Sequence, residues 1–165
     1  MKKLLMLCLG LMSTYSFSQT DKIYKHTGEI IKGKITKVSE FTIEYSYEDE
    51  EAVQSISKYA VDKVFYGKST RIEDISEKIE VEDKDDWRNV LILEDKALVA
   101  GLKKMENLKA KTGWINLRTG NGKDEKAEKR LKKQAAEEKC TFILLVSDKT
   151  VGVSAKKTGS CYKYN

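Results

Sequence analysis

Between Asp21 and about Ser76 the apolar residues fall at nearly every second position, and this alternation restricts the fold more than any other feature of the chain. In "FTIEYSY" the residues Phe41, Ile43, Tyr45 and Tyr47 lie on one side, and Thr42, Glu44 and Ser46 on the other. A repeat of two is the strand period, since successive side chains point to opposite faces. "DKIYKHTG", "EIIKGKITKV", "AVQSISK" and "VDKVFYG" continue the pattern, rich in β-branched and aromatic residues. Turn signals separate the runs about every ten residues. The chain has no proline, so glycine, asparagine and aspartate must make these turns. Gly33 stands where a bulge or sharp bend is cheap. Five short strands without a helix predict a small five-stranded β-barrel over residues 19–76, with closure removing the exposed edges.

The texture then changes twice. Residues 77–86 contain Glu80, Glu82, Asp83, Asp85 and Asp86 and few apolar positions, which predicts an acidic linker. They lack the alternating ligands and central glycine of a calcium loop. From residue 87 to 165 the pattern predicts an α+β domain. "WRNVLIL" and "TFILLVSD" are near-continuous apolar runs, as buried strands are. A helical turn is expected near Leu98 and a strand from about Leu108 to Thr112. "DEKAEKRLKKQAAEEK" is the clearest helix, with Asp124 as its cap and Ala127, Leu131 and Ala135 as a narrow stripe of mostly small residues. "GSCYKYN" ends the chain as a last strand. The predicted architecture is therefore α+β, a small N-terminal barrel followed by one main helix on a small sheet.

The N-terminus sets the compartment. Lys2 and Lys3 precede an apolar stretch from Leu4 to Met12, and Ser16 and Ser18 are spaced like a cleavage site. That is the layout of a secretory signal peptide, residues 1–18, too short to span a bilayer. Cleavage near Ser18 predicts an exported protein, periplasmic or secreted. Cys8 sits inside the apolar stretch, which argues against a lipid anchor. Of 31 basic residues two lie in the leader, which leaves 29 against 26 acidic ones, a net charge of +3. So small a charge, spread along the chain, argues against a nucleic-acid binder. No later stretch is apolar enough for a membrane span.

Motifs that carry chemistry are sparse. The single histidine, His26, lies in the first turn without a nearby ligand partner and reads as a solvated turn residue. There is no G-x-S-x-G turn. "TGNGKDE" precedes a helix but has Leu117 where a phosphate loop needs its first glycine, and Asp124 where it needs Ser or Thr. No catalytic residue, metal or cofactor is expected. Tyr45, Tyr47, Tyr59 and Tyr66 form the candidate ligand-binding set, although the same spacing also describes a barrel core. Trp87 and Trp114 read as core. After cleavage Cys140 and Cys161 remain. An even count in an exported chain favours a disulfide, with two buried free thiols and redox or metal chemistry as the other readings.

The C-terminal half resembles a known family. "LVAGLKKMENLKAKTG", "AEKRLKKQAAEEKCTFILLVSD" and "GSCYKYN" are similar to the domain of the Rcs stress-sensor lipoprotein and its YbjQ-like relatives. Ala127, Leu131, Ala135, Ile143 and Leu145 match the pattern, whereas Cys140-Thr141 replaces its usual Gly-Ala. The N-terminal half loosely resembles the small Sm-like or SH3-like barrels of exported bacterial proteins. The first resemblance implies the fold alone, and the sensor's membrane-anchored role does not carry over; the second implies ligand or partner binding rather than catalysis. The expected function is a non-catalytic binding or adaptor module of the bacterial envelope. Its partner would be a protein or other envelope component, with no nucleic acid involved. The alternative is a small cell-wall hydrolase acting through paired carboxylates.

Overall fold

The computed structural model describes residues 20–111, 122–151 and 154–165. The signal-peptide reading, Trp114 and residues 119–121 of the "TGNGKDE" segment lie outside these residues, and the helix begins at Gly122, ahead of the expected cap Asp124.

The first half forms β1 (Asp21–Lys25), β2 (Ile30–Val38), β3 (Thr42–Tyr47), β4 (Val53–Ser57), β5 (Val61–Tyr66) and β6 (Arg71–Asp74). They make one six-stranded sheet in the order β4-β3-β2-β1-β5-β6, every neighbouring pair antiparallel. This corrects the five-stranded barrel. "RIED" adds a sixth strand against β5, and β4 and β6 stay unpaired at the two edges, so the sheet is open. Its apolar face is covered by a second sheet and so need not curl onto itself.

That second sheet consists of β7 (Leu91–Leu93), β8 (Lys103–Lys111), β9 (Phe142–Val151) and β10 (Ser154–Lys163), in the order β7-β9-β10-β8. Only β7 and β9 run parallel. The helix α1 (Gly122–Glu137) lies between β8 and β9 in sequence.

Strand β9 explains the layering. Phe142 and Leu144 join Ile23, Ile31, Ile43 and Val64 of the first sheet in one buried cluster. Ile143, between them, points the other way and packs with Leu131, Ala135 and Ala136 of α1 and with Cys161. The run is apolar throughout because both of its faces are covered. The molecule therefore stacks as open sheet, small sheet and helix. Ala127, Leu131 and Ala135 are fully buried, and their small size lets α1 approach the strands closely.

The acidic segment crosses this stack. Ile75 and Ile79 pack against the inter-sheet cluster, and Val81 and Trp87 against the helix-side cluster. Asp83 and Asp86 form a capping box on a short 3-10 helix, Lys84–Arg88. Asp86 also accepts the Glu82 amide at 2.9 Å. Two of these carboxylates are thus engaged in holding backbone donors that would otherwise be orphaned.

Candidate binding surface

The structure separates the four tyrosines. Tyr45 is buried in the inter-sheet cluster, and Tyr59 packs against it with its ring 5.5 Å from that of Phe142. Tyr47 is exposed, edge-on to Tyr45 at 5.4 Å. Burial first, and then the Tyr47 hydroxyl, hold the Tyr45 phenol well above its usual range. Tyr66 donates to Glu73 at 3.0 Å and is covered by the Arg71 guanidinium. Its phenol is likewise raised, by burial and then by Glu73. Only Tyr47 keeps an open ring. It borders a cleft of about 690 Å³ with Asp21, Lys34, Glu48, Glu50 and Lys68. Asp21 has both carboxylate oxygens engaged, accepting the Ile35 amide at 3.0 Å and the Gly67 amide at 2.8 Å.

Cys140 and Cys161 are joined by a disulfide, with Cα atoms 5.8 Å apart, inside the usual range for a bridge. Local backbone geometry brings them together. The amide of Cys140 bonds the Ala135 carbonyl and that of Lys139 the Ala136 carbonyl, while Lys139 takes φ +55°. This left-handed stop to α1 turns the chain back under the helix and buries Cys140. Both sulfurs lie in the helix-side cluster.

His26 is not the solvated turn residue its sequence context indicates. It is half-buried between the sheets, beside a cavity of about 480 Å³ bounded by Ile79, Lys139, Thr141, Lys163 and Tyr164. Its Nε2 lies 2.9 Å from Ser76 Oγ. Ser76 Oγ is itself 3.0 Å from the Lys58 carbonyl and 2.9 Å from that of Val61. Two carbonyls compete for the one hydroxyl proton, an arrangement that favours the tautomer in which His26 donates from Nε2. Burial pushes the imidazole below its ordinary pKa, Asp62 opposes that shift, and Lys78 adds to it. The ring meets Tyr164 edge-on at 5.3 Å. No sequence signal places Ser76, fifty residues away, beside it.

The outward face of the six-stranded sheet differs in kind. Lys22, Tyr24, Lys32, Lys34, Lys63 and Phe65 share it, as the register and the strand period require. The Lys22 ammonium stands 5.7 Å from the Phe65 ring centre, and Lys63 stands 5.7 Å from that of Tyr24. Lys22 and Lys32 lie directly opposite one another on neighbouring strands. Such like-charge pairs are unfavourable. Lys63 has Asp62 at 3.7 Å, but Lys22, Lys32 and Lys34 have no ion-pair partner among the described residues. Ile30, Val53 and Ile72 are exposed on the same face, at 47, 58 and 62 %.

These features define a class: a disulfide-tied stack of an open sheet, a small mixed sheet and a helix, with one sheet face turned outward. No family model, no curated protein and no solved structure matches the chain. Among the described residues no group of three His, Cys, Asp or Glu is placed to hold a metal ion, and no helix is long and apolar enough to cross a membrane.

Proposed function

We propose that this protein is a non-catalytic binding module, exported to an oxidising compartment, that meets an envelope partner through the outward face of its six-stranded sheet. The observation that carries this reading is the asymmetry of that sheet. One face holds Ile23, Ile31, Ile43 and Val64 in the core, while the other presents Ile30, Val53 and Ile72 to solvent among unpaired lysines. Ile72 lies opposite Phe65 on the neighbouring strand, and a contiguous exposed apolar patch of this kind is the ordinary mark of a contact surface. The disulfide supports export, since such bonds persist outside reducing compartments. The signal-peptide pattern of the first eighteen residues supports it independently.

A photo-reactive residue placed at Lys32 tests this reading, with a second placed at Lys126 on α1 as control. Irradiation in intact envelopes should give adducts from the Lys32 position that the Lys126 position does not. Equal labelling from both positions, or none from Lys32, would overturn it.

A further inference from the structure

The outward sheet face has three properties that together narrow its partner, on the reading that this face is the binding surface. Its charge is positive on balance: Lys22, Lys32, Lys34 and Lys63 share it with Glu44 of β3 and Asp74 of β6. Lys22 and Lys32 face each other across β1 and β2, Lys34 lies one strand repeat further along β2, and none of the three has an ion pair among the described residues. The lysines are mixed with aliphatic side chains that remain in water, Ile30 and Ile72 foremost. Between them lie two aromatic rings, Tyr24 and Phe65, each with a lysine ammonium over it.

We infer that this face docks on the surface of an anionic phospholipid bilayer. The Lys22–Lys32 repulsion is relieved by an anionic counterpart, so an array of headgroup phosphates complements it. A hydrated anionic glycan would also satisfy the lysines but gains nothing from exposed Ile30, Val53 and Ile72. The boundary between headgroups and acyl chains accepts such side chains and attracts basic residues around them. Tyr24, an aromatic ring with a polar end, is at home at that depth. Lysine is a compact point charge without the bidentate fork of arginine, which suits a fluid, unordered anionic surface better than one fixed ligand geometry. The attachment is peripheral, with the sheet lying on the surface.

Co-sedimentation of the disulfide-intact protein with phosphatidylcholine vesicles, with and without phosphatidylglycerol, tests this. Binding is expected only with phosphatidylglycerol, and it should fall steeply when salt is raised to about 1 M, where screening acts over a few ångström. Each lysine near an anionic surface contributes about fivefold in partition, so Lys22→Gln with Lys32→Gln should weaken binding about 25-fold. Lys103→Gln with Lys126→Gln, which removes the same charge elsewhere, should leave it nearly unchanged. Circular dichroism of each variant confirms that the fold is intact. Ile72→Ser should reduce binding without altering its salt dependence. No binding to anionic vesicles, equal binding to neutral ones, or equal losses in both lysine pairs would overturn the proposal. So would tight capture of a soluble anionic polysaccharide with vesicles ignored. If vesicles fail while Lys32 still gives face-specific adducts in envelopes, the binding-module reading stands and only the lipid partner is wrong.

Discussion

The amide of Ile79 donates to the Tyr164 hydroxyl at 3.0 Å, tying the acidic crossing segment to the end of the last strand across 85 residues. Neither residue belongs to a regular element, so this bond and the packing of Ile79 on the inter-sheet cluster hold the crossing in place. Tyr164→Phe keeps the ring and deletes only the acceptor. It should lower unfolding stability by about 1–2 kcal/mol, the range for an orphaned, partly buried donor. A urea titration with unchanged slope and a lower midpoint is the expected result.

Cys140 and Cys161 enclose a short loop, for which the chain-entropy model gives about 3 kcal/mol of stabilisation. The double variant Cys140→Ala, Cys161→Ala should lose about that much, and the loss should match what dithiothreitol does to the unaltered protein. Intact mass before and after reduction and alkylation checks that the bond is present. Two thiols that react without reductant, once the protein is unfolded, would contradict the structure.

Gly101 has φ +79°, and a Cβ built there would stand 2.7 Å from Ile56 Cγ1. Gly101→Ala therefore meets both backbone strain and a clash with the edge strand β4. A loss of about 2 kcal/mol or more is expected. Adding Ile56→Ala should relieve the collision but not the strain, so the two substitutions should be non-additive in a double-mutant cycle.

His26 should make stability depend on pH. Its folded-state pKa lies below the ordinary 6.5 because burial disfavours the charged ring. The unfolded chain then binds a proton more readily than the folded one. Stability is full above about pH 6.5 and declines as pH falls through that value toward the lowered folded pKa. Asp62 limits the decline and Lys78 deepens it. His26→Gln should flatten the profile between about pH 7.5 and 5. As the only histidine, its ring resonance titrates alone in a proton spectrum.

Alternation in the sequence told which way β1 to β5 point their side chains, because Ile23, Ile31, Ile43 and Val64 fall on the strand period and are buried. It did not tell what covers them. A barrel interior and the face of a stacked sheet demand the same pattern, so closure was inferred where stacking occurs. The corrective signal lay in "TFILLV". A run apolar on both faces needs two covers, and one helix supplies only one. Phe41 and Tyr47 share the buried period and yet are exposed, since the alternation carries no mark of where the cover ends. The lysine-bearing face was invisible because Lys22 and Lys32 become neighbours only through strand register. His26 was misplaced for the same reason: its partners Ser76 and Tyr164 come from distant segments.

The bond between Cys140 and Cys161 closes a covalent ring containing most of the β9–β10 hairpin. One cut by trypsin at Lys149 or Lys156 opens that ring without dividing the molecule. The nicked protein keeps its mass apart from one added water, and its two pieces part only on reduction. In a protease-rich surrounding, loss of this hairpin therefore takes two cuts or a reductant rather than a single cleavage.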